Sequence, residues 1–368
     1  MNIKVFTAFS GYDSQCLALD RLHADYPQFN YELVGWSEID KHAIKAHNAL
    51  YPQYVDRNYG DMTLIDWNTV PDFDLMIYSS PCQDFSFAGS RRGGQDGSGT
   101  RSSLLWQVKH AIEAKKPKYL LMENVASLVS GKFIKLFNEW RVLLQSYGYT
   151  NFASVLDAQD YGIPQHRERI FLVSVLNCDK AFYFPNPIKL TKTVNDILEE
   201  HVDDKYYLSQ KMVDYIYSNG GVDGKYRGGR GVIDKKGISC TITANYSKTP
   251  RQGVYIIEPY VVGWLRDKKG IVVNRPTVKV ANTLTAAKRD NTQNYVVEGV
   301  HLIRKLTELE CFRLMGLTDD ESFKIIKVVS MTYCYTLAGN SIVVDVLYYI
   351  FRQLYIGNFN KSQQTELF

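Results

Sequence analysis

Asp74-Leu75-Met76-Ile77-Tyr78-Ser79-Ser80-Pro81-Cys82-Gln83 is the stretch whose reading decides the fold. Its apolar run, Leu75 to Tyr78, has the length of a buried strand and stops at Pro81, which has no N–H for a strand ladder. A cysteine with no cysteine near it follows directly. A thiol on a loop at the end of a core strand is where a nucleophile is presented. Next comes Ala88 to Gly99, glycine-rich and polar with Arg91 and Arg92 inside it. That composition cannot pack and suits a lid closing over a phosphate backbone. A lone Pro-Cys is more often an inert buried thiol than a nucleophile. The surrounding chain has to decide between them.

Outward from this stretch, strand-like and helix-like segments alternate. Val5–Phe9, Leu33–Ser37, Asp74–Tyr78, Tyr119–Met122 and Ile170–Val173 have strand composition. Asp13–Leu22, Lys41–Leu50, Ser103–Ala114 and Phe133–Ser146 have helical periodicity, with Asp13 or Ser14 as the first N-cap. Gly60-Asp61-Met62 is expected to end a further strand. The alternation predicts an α/β fold: βαβ units building a Rossmann-like, mostly parallel sheet flanked by helices. In such a sheet, ligands bind beyond the strand C-termini.

After Asn177 the pattern changes to short, glycine-punctuated β segments, which predicts a second, smaller β-rich domain. Cys240–Ala244 followed by Val254–Glu258 is echoed by Asn282–Ala286 followed by Asn294–Glu298. Two copies are too few for a solenoid and fit paired hairpins of one small domain as well as chance does. Helical signals return at Leu306–Leu314. Gly339-Asn340-Ser341 is expected to be the turn and N-cap of a last helix, Ile342 to Leu354, which packs back onto the first domain.

The 368 residues, 45% hydrophobic and 22% charged, suit a globular chain of two domains. No run has the length of a membrane span, and Met1–Phe6 has the composition of a first strand and not of a signal peptide, so a cytoplasmic protein is expected. The six cysteines form no CxxC pair and no Cys/His ligand spacing, so neither zinc nor a disulfide framework is expected. The net charge of +4 is unevenly spread. Between residues 225 and 289 there are 14 lysines and arginines against Asp234, Glu258 and Asp267. Five aromatic residues, from Tyr226 to Trp264, are interleaved with them. A local basic excess of this kind points to a polyanion partner.

Several strand ends carry binding or reactive residues. Phe9-Ser10-Gly11-Tyr12 follows the first strand, where a tight turn before a helix can hold a carboxylate or phosphate. Glu38, beside Ile39, stands where a ribose-binding acid belongs. Asp61, beside Met62, is placed to accept from an adenine amino group. Each is weak alone, but their order along one frame implies a nucleoside cofactor. Glu123-Asn124-Val125 brings a carboxyl to the rim that carries Cys82. In Gln165-His166-Arg167-Glu168-Arg169, alternate residues of an extended chain face one way, so Gln165, Arg167 and Arg169 share a side. Guanidiniums near a thiol lower its pKa and bind carbonyl or phosphate oxygens.

Taken together, these motifs resemble the DNA (cytosine-5) methyltransferase family of bacterial or phage type, in the family's motif order and over nearly the whole chain. Leu306-Thr307 with Glu310 and Arg313-Leu314-Met315-Gly316 is similar to the motif that closes the family's recognition domain. Gly339-Asn340-Ser341-Ile342 is similar to its last motif. One departure stands out: the family's cofactor turn is Phe-x-Gly-x-Gly, and here Asp13 replaces the second glycine. Aspartate there can cap the helix, but it brings negative charge near the cofactor's carboxylate.

The resemblance implies S-adenosylmethionine as cofactor, with S-adenosylhomocysteine as product, and double-stranded DNA as partner. Cys82 is then the thiolate that adds to carbon 6 of a flipped cytosine. Glu123, its pKa raised in a closed pocket, acts at ring N3, Arg169 holds the base carbonyl, and Arg167 positions it. Cofactor contacts are implied for Phe9, Ser10, Gly11, Tyr12, Glu38, Ile39, Asp61, Met62, Pro81, Leu104, Asn340 and Ser341. DNA contacts are implied for Gln83, Ser86, Arg91, Arg92, Arg251, Arg275 and Arg289, with Thr241 or Thr283 opening the Thr-aliphatic pair near the flipped base. Both copies fit. Residues 1–177 and 335–368 are expected to form the catalytic domain, and 178–334, with the basic core 225–289, the target-recognition domain. A monomer without metal or membrane is expected, and a cognate restriction endonuclease of the same restriction-modification system is a further candidate partner. A transfer-RNA cytosine-5 methyltransferase and a catalytically weak DNA-binding homologue are the alternatives. A nicotinamide dehydrogenase lacks its Gly-x-Gly-x-x-Gly turn here.

Overall fold

The computed structural model describes residues 1–80, 105, 107–178, 180–218, 231–246, 248, 253–266, 272–274 and 293–357. Its first half is built from β1 (Asn2–Ala8), α1 (Ser14–Asp25), β2 (Asn30–Ser37), α2 (Lys41–Leu50), β3 (Leu75–Tyr78), α3 (Gln107–Lys115), β4 (Tyr119–Val125), α4 (Ile134–Ser146), β5 (Tyr149–Asp157), β6 (Gln165–His166) and β7 (Glu168–Leu176). The second half contains α5 (Gln210–Ser218), β8 (Gly231–Ile233), β9 (Ser239–Cys240), β10 (Val254–Arg266), β11 (Val272–Asn274), β12 (Gln293–Lys305), α6 (Glu308–Arg313), α7 (Asp319–Ile326), α8 (Met331–Asn340) and α9 (Val344–Tyr355).

Six strands form one sheet in the order β2-β1-β3-β4-β7-β5. The first four are parallel, while β7 is antiparallel to both β4 and β5. Period-two alternation divides the sheet between two cores. Val5, Ile77 and Leu121 share one core with residues of α1 and α9, and Phe6, Met76, Tyr78, Leu120 and Met122 share the other with residues of α3 and α4. With both faces covered, the central strands are apolar throughout, as a parallel sheet requires. Truncating one such side chain, as in Leu121→Ala, costs about 2–5 kcal/mol.

β10 pairs with β12, β11 and β8 in a second sheet. The strand parts of the internal echo lie in β10 and β12, which are antiparallel partners with a register shift between Pro259 and Val261. A proline in a long strand is tolerated at such an irregularity. β9 pairs with β6, joining Ser239 to Gln165.

Two expectations are corrected. Gly60-Asp61-Met62 ends no strand: Pro52–Arg57 is a 3₁₀ turn, and Asn58 makes a single bridge to Trp36. Residues 339–341 do not form the turn and N-cap of the last helix either. Gly339 and Asn340 finish α8, Ser341 is its C-cap, and Val343 is the N-cap of α9. The strand β5 escaped the sequence pattern because five of its nine residues, Asn151–Val155, are half-buried at the sheet edge and show no alternation. Met331–Tyr355 has the apolarity of a membrane span, but it is mostly buried and forms two helices of the core.

Candidate active site

Strand register brings the motif residues to one rim. Ala8 pairs with Ser37 and Tyr78, so β1, β2 and β3 end level, and β4 runs on past Met122, the partner of Tyr78, to Val125. Because β7 runs antiparallel, its first residues reach the same rim, with Val125 paired to Arg169. The chain carrying Cys82 leaves β3 through Ser79 and Ser80. Asn124 Nδ2 donates to the Ser80 carbonyl at 3.2 Å and reaches Ser80 Oγ at 3.4 Å, pinning the root of that segment beside Glu123. Cys82 itself, with Pro81, Gln83, Ser86, Arg91, Arg92 and Leu104, lies outside the described residues.

Glu123 is 6% exposed, and its Oε1 stands 3.1 Å from Arg169 Nε. Burial pushes its carboxyl above the ordinary carboxylate range, and the charges of Arg169 and Arg167 oppose that without cancelling it. A carboxyl so placed holds a proton to higher pH and can donate it or its hydrogen bond.

Burial alternates along Gln165–Arg169, but the three inward side chains do different work. Arg167, implied to position the base, is 2% exposed and holds three backbone carbonyls. Its Nη1 donates to the Ile242 carbonyl at 2.8 Å, and its Nη2 donates to the carbonyls of Gly339 at 3.0 Å and Ser341 at 2.7 Å. Gln165 donates to the Leu314 carbonyl and accepts from Ile242 N at 3.0 Å. Thr241 Oγ1 donates to the His166 carbonyl at 2.8 Å. The Thr241-Ile242 pair is therefore docked on the segment that leads to Arg169. Thr283, Arg251, Arg275 and Arg289 lie outside the described residues.

A cleft of about 950 Å³ joins this chemistry to the cofactor motifs: Glu123 and Arg169 line it together with Phe9 to Tyr12, Glu38, Ile39, Asp61, Met62, Asn340 and Ser341. Phe9 and Gly11 are both left-handed, at φ 55° and 61°, which folds the turn over the end of β1. Gly11 N donates to Glu38 Oε2 at 3.0 Å, while Glu38 Oε1 accepts from Ile39 N and Asp40 N. Asp61 Oδ1 accepts from Thr63 N and Oγ1, closing an Asx turn. Ile39 is apolar yet 68% exposed at the cleft edge. Tyr12 OH donates to Ser341 Oγ at 2.7 Å, tying the first motif to the last. The Ser10 hydroxyl is buried beside the cleft with no hydrogen-bond partner among the described residues.

Three further lining residues escaped the sequence reading. His42 and Tyr333 stack at 3.4 Å between ring centroids, and Lys248 joins them along the wall. They come from separate segments and belong to no motif, so no local signal marks them. Among the described residues no cluster of His, Cys, Asp and Glu is arranged to hold a metal.

Comparison with known proteins points the same way. The family described as C-5 cytosine-specific DNA methylase matches residues 3–355. The type II methyltransferase M2.ScrFI of Lactococcus lactis subsp. cremoris is 34% identical, covering 96% of this chain and 99% of that protein. The type II methyltransferase M.NlaX of Neisseria lactamica is 32% identical, covering 95% of this chain and 96% of that protein. Among solved structures, an Entamoeba histolytica methyltransferase has a TM-score of 0.70 at 18% identity, covering 96% of this chain and 98% of that one. The Dnmt2 methyltransferase of S. pombe has a TM-score of 0.66 at 19% identity over the same shares, a likeness of fold alone. With the family matched from β1 to the end of α9, the chain belongs to the C-5 cytosine-specific DNA methylases and is a DNA cytosine-5 methyltransferase.

Proposed function

We propose that the chain methylates carbon 5 of a cytosine extruded from duplex DNA, with S-adenosylmethionine as donor. The observation that carries this reading is the shared cleft, in which a buried Glu123 of raised pKa, paired with Arg169, adjoins Glu38 and Asp61. The residues fit the cofactor. Glu38 and Asp61 offer carboxylate oxygens to ribose hydroxyls and an adenine amino group, Ile39 offers an exposed apolar face, and the unpartnered Ser10 hydroxyl suits a carboxylate. When bound, S-adenosylmethionine supplies the electrophilic methyl that carbon 5 accepts.

Carbon 5 of cytosine is a poor nucleophile until carbon 6 is saturated. The Cys82 thiolate forms a bond to carbon 6, and the ring electrons move toward N3, where the Glu123 carboxyl gives its proton or hydrogen bond. Arg169 holds Glu123 and is placed for the base carbonyl. The resulting enamine makes carbon 5 nucleophilic. Once carbon 5 carries the methyl, loss of its proton to a base expels Cys82 as thiolate, and N3 returns its proton to Glu123, which restores the ring. Extrusion of the base costs a few kcal/mol of stacking.

In this reading residues 178–334, with the basic core 225–289, recognise the target, and residues 1–177 with 335–368 carry the chemistry. The separate β10 sheet supports that division. The bacterial relatives support a cytoplasmic enzyme acting on the nucleoid, and their being named type II methyltransferases supports a cognate restriction endonuclease as partner. Labelled methyl transfer to unmethylated duplex DNA, followed by sequencing of modified cytosines, tests the proposal. Transfer to duplex DNA in preference to transfer RNA is expected, and preference for the RNA would overturn it.

A further inference from the structure

Beneath the Phe9–Tyr12 turn lies a buried polar pair that the chemistry above does not use. Asp13, which stands where a glycine is expected, is fully buried and left-handed, at φ 69° and ψ 55°. Few residues other than glycine adopt that conformation, aspartate and asparagine most readily. Its Oδ2 accepts from Thr7 Oγ1 at 2.8 Å and lies 3.5 Å from His47 Nε2, and its Oδ1 accepts from Cys16 N at 3.3 Å. His47, also fully buried, stacks on Trp36 with 3.7 Å between ring centroids at 19°.

These contacts join two units. Asp13 begins α1 directly after the turn, and His47 lies on α2, the helix that follows Glu38. The carboxylate thus meets the β2–α2 unit inside the protein in a close polar contact at 3.5 Å that is not a hydrogen bond, while Gly11 N and Glu38 tie the two units on the open side. Tyr12 and Ser14 line the cleft and Asp13 does not, so its carboxyl faces the interior.

We propose that Asp13 and His47 are a positioning pair for the cofactor, bracing the Phe9–Tyr12 turn against the unit that carries Glu38 so that both halves of the S-adenosylmethionine site are held in register. Glycine supplies only the left-handed turn. Aspartate supplies the turn and a brace. The pair's role rests on the cofactor reading above.

The test is calorimetric titration of S-adenosylhomocysteine into the full chain and its variants D13G, H47F, D13N and the double variant D13G/H47F. Glycine keeps the left-handed turn, and phenylalanine keeps the stack on Trp36. D13G and H47F should each weaken binding about tenfold, and the double variant no more than the more affected single, because both break one link. D13N, whose carboxamide oxygen still accepts from Cys16 N while its NH2 donates to the Thr7 hydroxyl, should stay within about threefold of wild type. The KM for S-adenosylmethionine should rise with kcat at saturation and duplex DNA affinity unchanged, a split that a general loss of stability would not give. A wild-type chain that binds no S-adenosylhomocysteine overturns the cofactor reading and the pair with it. A wild-type chain that binds, with D13G binding equally or with losses that multiply in the double variant, overturns the pair alone.

Discussion

Glu123 Oε1 stands 3.1 Å from Arg169 Nε at the point where β4 and the antiparallel β7 meet. Burial raises the carboxyl's pKa, and the guanidinium lowers it part of the way back. The acid form is the one that can serve ring N3, so kcat/KM should fall as pH rises through the raised pKa. In Arg169→Met the opposing charge is gone, so that falling limb should move to higher pH while the rate drops on the order of 10²-fold. Glu123→Gln should lose the limb and on the order of 10²-fold in kcat. pH–rate profiles of the three proteins check both, and an unmoved limb in Arg169→Met would contradict the assignment.

Thiol reactivity should single out Cys82. Burial pushes the thiols of Cys16 and Cys311 well above their ordinary pKa and that of Cys334 up to about 12, so little thiolate forms on them. Alkylation of the native protein near neutral pH, read by mass spectrometry, should spare these three and modify Cys82 with loss of turnover. Cys82→Ser should bind duplex DNA and transfer no methyl. Cys178→Ala should leave activity intact.

Arg167→Met should destabilise the chain more than it alters proton chemistry. The substitution removes the guanidinium from the carbonyls of Ile242, Gly339 and Ser341. Each buried carbonyl left without a donor costs about 1–3 kcal/mol. Arg167→Lys should rescue little, since one ammonium cannot reproduce a planar fork. The urea midpoint should fall clearly for both, and a wild-type midpoint would refute the bracing role.

Gly339→Ala should destabilise, although alanine is ordinarily the better helix former. A Cβ at residue 339 would collide with Ala244 N and the Thr243 carbonyl carbon, which are backbone atoms that cannot swing aside. Overpacking of this kind costs about 1–3 kcal/mol or more. Chemical denaturation should show the loss, and methylation should fall with it because Ser341 moves with the helix end.

What was legible in the sequence was what neighbouring residues decide. Apolar strands such as Leu75–Tyr78 and the cap at Asp13 follow from local propensity and turn chemistry. The amino-acid order therefore determined an α/β chain with Cys82, Glu123 and Arg169 near its strand ends, and the family it belongs to. Tertiary structure alone decided which of these residues meet. The reversal of β7 brings Arg169 to Glu123, and the docking of residues 241–244 against α8 gives Arg167 the carbonyls of Ile242 and Gly339 to hold. The burial of His47 against Trp36 gives Asp13 its partner. Strand order, register and helix docking are settled by contacts between residues far apart in the chain, where burial and hydrogen-bond satisfaction outweigh local preference.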